Sequence, residues 1–126
     1  MDLQLKEKTA LVTGASQGLG KAIAVGLAAE GAQVAITARR GELLEQVAAE
    51  IVKNGGLKPV IIVADLYPDN ASEGIAEQAL KAMGRVDIVV NSAGGSRPLP
   101  LDGSKEAWLE GMTLNFWRLR ELTHAV

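Results

Sequence analysis

The glycine-rich stretch at residues 13–20 constrains the fold of this chain more than any other feature. It reads Thr-Gly-Ala-Ser-Gln-Gly-Leu-Gly, follows an apolar run at residues 9–13 and leads directly into a helical segment that includes Lys21. Glycines permit a tight turn and a close approach of the backbone to a ligand. The N-terminus of the following helix adds partial positive charge and N–H donors. We therefore predict a strand–turn–helix unit whose ligand carries a pyrophosphate.

The spacing of these glycines narrows the class of nucleotide. Gly14, Gly18 and Gly20 are spaced Gly-x3-Gly-x-Gly, and no Gly-Lys-Ser/Thr sequence ends the stretch. A phosphate loop of a kinase or ATPase is therefore disfavoured. The alternative is that the glycines serve only a tight turn and close helix packing. The strand before them and the helix after them favour dinucleotide binding over that alternative.

Four short apolar runs, at residues 9–13, 33–38, 59–64 and 86–91, predict strands buried on both faces, because they are dense in Val, Ile and Ala without strict alternation. Helical segments separate them. One follows Glu42, and another runs from a helix-start box of Asn70 and Glu73 to Gly84. This alternation predicts the α/β class: a Rossmann-type doubly wound parallel sheet, with its first four strands in a single domain over residues 1–126 and no second domain.

The segment after the fourth strand combines a long irregular loop, residues 94–103, with a further helix. That helix is predicted from an apolar stripe at helical spacing, formed by Trp108, Met112, Phe116, Leu119 and Thr123. We interpret Trp108 and Trp117 as core or interface residues. No glycine or proline ends the helix before Val126, which predicts a chain truncated at its C-terminus.

Composition excludes several classes of function. The chain has no cysteine, which excludes disulfides and thiolate metal sites, and we predict no metal. A net charge of -2 with both signs interspersed disfavours nucleic acid as a partner. The N-terminus lacks the basic and apolar stretches of a secretion signal, and no apolar run approaches the roughly 20 residues that span a bilayer. We therefore expect a soluble, cytoplasmic protein with no membrane partner.

Four motifs in order resemble the short-chain dehydrogenase/reductase family, over nearly the whole chain. They are the glycine stretch at residues 13–20, Asp65-Leu66 after the third strand, Asn91-Ser92-Ala93-Gly94 after the fourth, and Asn115 in the last helix. One departure is Ser92, where the family most often has a second asparagine; serine is an accepted variant there. Several spaced motifs are far more specific than a single glycine pattern.

The resemblance implies the following cofactor site. The turn residues Gly14, Ser16, Gln17, Gly18, Leu19 and Gly20 would bind the pyrophosphate. Asp65 would bond the adenine amino group beside Leu66, and Asn91, Ala93 and Gly94 would line the adenosine ribose. Asp65 could alternatively cap the following turn.

Catalysis in the family uses a tyrosine, a lysine four residues later, a serine, and an asparagine that supports a water-linked proton relay. Only the asparagine, Asn115, is present here, and it could alternatively bond the backbone at a helix irregularity. The sole tyrosine, Tyr67, has no lysine four residues on, so we do not interpret it as the acid. His124 has no suitably spaced partner and receives no role.

The end of the second predicted strand reads Thr37-Ala38-Arg39-Arg40. A carboxylate at this position would bind the free 2′-hydroxyl of NAD, whereas arginine accommodates the 2′-phosphate of NADP. No carboxylate is present, and a guanidinium forms forked, charge-assisted contacts with phosphate. We therefore predict NADP, with NAD the weaker candidate and Arg39 the main contact. Alternatively, both arginines are simply solvated charges.

These observations together predict an oxidoreductase that transfers a hydride between NADP(H) and a carbonyl or secondary alcohol of a small molecule. The resemblance extends to 3-oxoacyl-thioester reductases and to sugar or polyol dehydrogenases, and it implies a homo-oligomer for the parent protein. Residues 1–126 alone are expected to be inactive, with the fourth strand left at the edge of the sheet. The alternatives are a non-catalytic NADP-binding module or sensor and, less favoured, a purely structural protein.

Overall fold

The computed structural model of the chain describes residues 1–94 and 102–126. Strands and helices alternate as predicted, and the last helical segment contains an internal π-helix. In chain order the elements are β1 (Thr9–Thr13), α1 (Gly18–Ala29), β2 (Gln33–Ala38), α2 (Gly41–Lys53), β3 (Val60–Val63), α3 (Ala71–Met83), β4 (Ile88–Val90), α4 (Lys105–Met112), the π-helix (Thr113–Trp117) and α5 (Arg118–Ala125).

The four strands form one parallel sheet in the order β3-β2-β1-β4. The register pairs Val12 with Ile36 of β2 on one side and with Val90 of β4 on the other. In this order β2 and β3 follow on one side of β1, and β4 lies on its other side. The order of the strands therefore reverses at β1, which is the switch point at which Rossmann-type folds bind their ligands. The predicted Rossmann-type fold is confirmed.

Each face of the sheet has its own hydrophobic core, as expected for strands joined by crossover helices. On one face, Val12 and Ile36 pack with Leu44, Val47 and other residues of α1 and α2. On the opposite face, apolar residues of the strands pack against α3 and α5, namely Leu11, Ile62, Ile75, Ala79 and Leu122. Full burial of one such large side chain stabilises the fold by about 1.5–3 kcal/mol.

Two strand predictions need correction. The third and fourth strands are shorter than predicted, Val60–Val63 and Ile88–Val90. After Val90 the backbone leaves the ladder, because the N–H groups of Ser92 and Ala93 bond the Thr13 side chain. The prediction that all four strands are buried on both faces is wrong for β4, which is half-buried throughout, and for β3, in which only Ile62 is buried and Val63 is exposed. Among the residues that the structure describes, β1 alone flanks β4, so β4 is an edge strand, as expected for residues 1–126 alone.

The start of α3 also differs from the prediction. Asn70 is the N-cap residue, but it adopts a left-handed conformation with φ of 65° and its side chain makes no capping bond. The predicted helix-start box is therefore wrong, although the helix begins where the box places it. An N-cap side chain normally bonds the first turn from an extended backbone conformation, which Asn70 does not have.

The predicted apolar stripe near the C-terminus lies on helices, but much of it is not core. Trp108, Met112, Phe116 and Trp117 are each 48–51% exposed. The interpretation of the tryptophans as core residues is thus wrong for this chain, and an interface role stays a prediction. Part of the predicted loop at 94–103 falls on residues 95–101, outside the described residues.

Within residues 1–94 and 102–126, no helix has the length and apolar character needed to cross a membrane. No cluster of three or more His, Cys, Asp or Glu side chains in those ranges is placed to hold a metal ion.

Candidate functional site

A cleft of about 870 Å³ opens at the carboxyl ends of the strands. This volume lies within the usual range for small-molecule sites, and the position matches the switch point of the sheet. Nine of the fourteen predicted site residues line it: Gly14, Ser16, Gln17, Arg39, Arg40, Asp65, Leu66, Ala93 and Gly94. The structure therefore brings together residues from all four strand ends. Gly18, Leu19, Gly20, Asn91 and Asn115 do not line the cleft.

The glycines of the turn have two distinct structural roles. Gly14 has φ of +62°, and a Cβ there would lie 2.9 Å from the Cα and N atoms of Ala93. A Cβ on Gly20 would collide with the carbonyl oxygen of Gly14. Gly18 also has positive φ, +61°, but a Cβ there would face open space. Close packing against neighbouring backbone thus requires glycine at positions 14 and 20. At Gly18 the absence of a side chain instead leaves open space next to the turn, where a ligand could approach the backbone.

The N-terminus of α1 lies in the same turn. Gln17 is the N-cap residue, makes no side-chain capping bond, and no acidic residue occupies the first turn. The first N–H groups of a helix have no partner within the helix itself. Together with the partial positive charge of the helix end, such groups bind an anion.

Thr13 connects the turn to the segment after β4. Its hydroxyl oxygen accepts hydrogen bonds from the N–H groups of Ser92, at 3.1 Å, and Ala93, at 3.0 Å. These bonds hold residues 92–94 against Gly14, where Ala93 and Gly94 line the cleft. The sequence identifies Thr13 only as the first residue of the glycine-rich stretch and does not predict these bonds. The signal for them is a polar side chain at the end of an otherwise apolar strand.

The side chain of Asn91, in contrast, is directed away from the cleft. Its Nδ2 donates to the hydroxyl of Thr123 on α5, at 3.1 Å. The structure therefore places Asn91 as a link between the end of β4 and the last helix.

The two arginines after β2 differ in their partners. Arg39 lines the cleft, is exposed, and makes no hydrogen bond or ion pair with any residue that the structure describes. The Nε of Arg40 lies 3.0 Å from an Oε1 of Glu42. A backbone N–H and this guanidinium hold the pKa of the Glu42 carboxyl below its usual value. Among the described residues, the guanidinium of Arg39 is thus unpaired, whereas that of Arg40 is paired with Glu42.

Another unpaired polar group lies in this part of the cleft. Thr37, on β2, lines the cleft, and its hydroxyl is buried without a hydrogen-bond partner among the described residues. Such buried polar atoms are rare in folded proteins.

Asp65 and Leu66 follow the end of β3, and both line the cleft there. One carboxylate oxygen of Asp65 accepts a hydrogen bond from the N–H of Tyr67, at 3.0 Å, so the turn-capping alternative describes this contact. Asp65 is nevertheless exposed and lines the cleft. Leu66 is only 9% exposed and packs in the core beside α3, which leaves a small part of it facing the cleft. Tyr67 lines the cleft next to them, with no lysine four residues later.

Asn115 lies within the π-helix. Its Nδ2 donates to the carbonyl oxygen of Gly111, at 2.8 Å, which is the backbone contact at a helix irregularity that the sequence suggested as an alternative. A Cβ on Gly94 would lie 2.6 Å from Oδ1 of Asn115, so the Asn115 amide packs directly against residue 94. π-Helices of this kind occur frequently at functional sites.

Sequence reasoning missed the helical wall of the cleft. It consists of Ala107, Glu110, Gly111 and Leu114. Their spacing of three and four residues is the signal that could have placed them on one face of a helix.

The fold and the cleft define a class of protein: a Rossmann-type α/β protein with a cleft at the switch point of its sheet, where proteins of this fold bind nucleotides. The family model for short chain dehydrogenases matches residues 8–126. The chain belongs to the short-chain dehydrogenase/reductase family, whose members are oxidoreductases.

Individual relatives agree with this assignment. A short chain dehydrogenase of Pseudocercospora fijiensis is 38% identical over 126 residues, which cover 98% of this chain and 40% of that protein. The structure of 7α-hydroxysteroid dehydrogenase with NADH and 7-oxo glycochenodeoxycholic acid superposes with a TM-score of 0.93 at 32% identity, covering 99% of this chain and 49% of that one.

A second solved structure carries the other dinucleotide. L-sorbose reductase from Gluconobacter frateurii, complexed with NADPH and L-sorbose, gives a TM-score of 0.93 at 28% identity, over 99% of this chain and 48% of that one. Structural neighbours thus bind NAD(H) or NADP(H). The chain spans about half the length, or less, of the relatives it matches.

Proposed function

We propose that the protein containing this chain transfers a hydride between NADP(H) and a carbonyl or secondary alcohol of a small molecule. The observation that carries the proposal is the unpaired guanidinium of Arg39 on the cleft, at the end of a strand that offers no carboxylate. Since Arg40 is engaged with Glu42, Arg39 is the cation available for a 2′-phosphate.

The residues at the cleft fit such a cofactor. The turn around Gly18 and the uncapped start of α1 provide space and N–H donors for the pyrophosphate. Asp65 and Leu66 would hold the adenine, and Ala93 and Gly94, with Asn91 beside them, the adenosine ribose. A bound nicotinamide would supply or accept the hydride.

Asn115 is our candidate for the catalytic machinery. Its amide is held by the carbonyl of Gly111 and packs against Gly94, which itself lines the cleft, and these contacts support a fixed orientation of the amide beside the cleft. We propose that it supports a water-linked proton relay. No Tyr-x-x-x-Lys sequence occurs in the 126 residues, so we expect no turnover from residues 1–126 alone. A cytoplasmic location and a homo-oligomeric parent also remain predictions.

A fluorescence titration with NADPH and NADH tests the cofactor assignment. We expect at least about tenfold tighter binding of NADPH, because a hydrogen bond to a charged group contributes about 1.5–3 kcal/mol. Arg39→Ala should remove this preference. Arg40→Ala is the matched control and should retain most of it, since Arg40 pairs with Glu42. Equal affinities for both dinucleotides in the unmutated protein would refute the assignment.

The second candidate is a non-catalytic NADP-binding module, because the exposed Arg39 on the cleft would serve cofactor binding without catalysis equally well. An assay of NADPH oxidation against a panel of ketones and 3-oxoacyl thioesters separates the two functions in the protein as its gene encodes it. Turnover of any member of the panel supports the oxidoreductase. Tight NADPH binding without turnover across the panel favours the module.

A further inference from the structure

Arg118 is a buried cation that does not line the cleft. It is the first residue of α5, directly after the π-helix that carries Asn115, and its side chain is only 9% exposed. A buried guanidinium is costly unless several hydrogen bonds compensate for its lost hydration. The partners of Arg118 therefore indicate what the residue holds in place.

Most of these partners belong to the turn after β3. Nε donates to the carbonyl oxygens of Leu66, at 2.9 Å, and Tyr67, at 3.1 Å. Nη2 donates to the same Tyr67 carbonyl, at 2.7 Å, and to Oδ1 of Asp69, at 3.1 Å. Nη1 pairs with the carboxylate of Glu121 on its own helix, at 3.2 Å. All three guanidinium nitrogens are engaged.

The backbone of Arg118 is itself held from another element. The buried hydroxyl of Ser72, in the first turn of α3, donates to the carbonyl oxygen of Arg118 at 2.9 Å. The guanidinium therefore has a fixed origin, and the planar fork of an arginine loses little further freedom in bonding two adjacent carbonyls.

A chain of hydrogen bonds leads from Arg118 to the cleft through Tyr67. The carbonyl of Tyr67 accepts from Arg118, while the N–H of the same residue donates to Oδ1 of Asp65 at 3.0 Å. Asp65 and Tyr67 both line the cleft. A displacement of the Tyr67 backbone would therefore release the Asp65 carboxylate.

We propose that Arg118 is a positioning residue for recognition of the adenine base: by clamping the carbonyls of Leu66 and Tyr67 it fixes the orientation of the Asp65 carboxylate at the cleft. The inference rests on the proposed function, in which Asp65 accepts a hydrogen bond from the adenine amino group. It also connects that end of the cofactor site to the helical segment that carries Asn115.

The test compares NADPH with reduced nicotinamide hypoxanthine dinucleotide phosphate, which has an oxygen in place of the adenine amino group. We expect the unmutated protein to prefer the adenine form by about tenfold, the effect of one hydrogen bond to a charged group. In Arg118→Met the preference should fall to about threefold or less, because a mobile Asp65 discriminates poorly. Arg120→Met, an exposed arginine on the same helix, should keep the full preference.

The ratio of the two affinities separates positioning from general damage, since a damaged fold weakens binding of both dinucleotides alike. Arg118→Lys serves as the second variant if Arg118→Met does not fold. Its single ammonium cannot reproduce the fork to two carbonyls, so it should show an intermediate ratio. A full adenine preference in a folded Arg118→Met or Arg118→Lys would overturn the inference. Failure of the unmutated protein to bind either dinucleotide would instead refute the proposed function.

Discussion

Two walls of the same cleft are built in different ways. At the turn wall, formed by residues 13–20 and 92–94, backbone lies directly on backbone, and a Cβ on Gly14 would lie 2.9 Å from Ala93. The helical wall is formed by one face of α4 and the π-helix, and the same two elements carry large apolar side chains outside the cleft, such as Trp108 and Phe116, that remain about half exposed. Contacts within the chain determine the residue types of the turn wall. The described residues do not supply such contacts for much of α4 and the π-helix.

The strongest test of this contrast is a pair of substitutions at the turn wall. Gly14 and Gly18 have nearly the same positive φ, +62° and +61°, but only Gly14 lies against another backbone segment. Alanine at either position should cost about 1–2 kcal/mol for its left-handed conformation. Gly14→Ala should lose about 1–3 kcal/mol more through overpacking against Ala93.

Urea denaturation followed by circular dichroism measures both variants. The expected result is a lower free energy of unfolding for Gly14→Ala than for Gly18→Ala. Equal losses would mean that the Ala93 segment moves away freely and that the turn wall is no more tightly specified than the helical wall. Gly18→Ala should weaken NADPH binding instead, because its methyl group enters the space outside the turn.

The next test removes the hydroxyl that joins the two segments of the turn wall. Thr13→Val keeps the shape of the side chain but removes the hydroxyl that accepts from the N–H of Ala93, whereas the N–H of Ser92 keeps the Val90 carbonyl at 3.1 Å as an acceptor. An unsatisfied buried group costs about 1–3 kcal/mol, so a loss of about 2 kcal/mol is expected in thermal or urea unfolding. Thr123→Val, at an exposed threonine that bonds Asn91, is the control and should change stability by about 0.5 kcal/mol or less. Equal effects of both variants would contradict the contrast.

The contrast between the turn wall and the helical wall also explains which parts of the fold and of the site could be predicted from the sequence. The order of strands and helices and the residues of the turn follow from local rules, since glycine at a backbone contact and apolar runs between helices have few alternatives. The turn residues Gly14, Ser16 and Gln17 accordingly line the cleft, together with Arg39 and Asp65 after the next strands. Strand ends meet at one edge of a parallel sheet whatever their separation in the sequence.

Other features depended on tertiary contacts that no local pattern encodes. The shortening of β4 results from the bonds between Thr13 and the segment after that strand. The side chain of Asn91 is directed to Thr123, thirty-two residues later in the chain. The exposure of Trp108 could not be predicted from helical spacing, because spacing defines a face of a helix but not what covers that face.

The smallest expected effect lies at the opposite end of β1 and β4, where Asp87 fixes the edge strand. Its carboxylate accepts from the N–H of Thr9, at 2.9 Å, and from the Thr9 hydroxyl, and it pairs with Arg85 at 3.1 Å. The Thr9 backbone N–H, and after it Arg85, hold the pKa of the Asp87 carboxyl below its ordinary value of 3.8. A carboxyl whose pKa is lower in the folded state stabilises the fold above its unfolded pKa, and this contribution disappears as the pH falls through the folded pKa.

Asp87→Asn should therefore be less stable than the unmutated protein at pH 7, and the difference should shrink as the pH falls below about 4. Thermal unfolding of both proteins between pH 3 and pH 7 measures it, with Asp2→Asn, near the exposed N-terminus, as the control. A difference that stays constant across this range would show that the charge of the Asp87 carboxylate does not stabilise the edge strand.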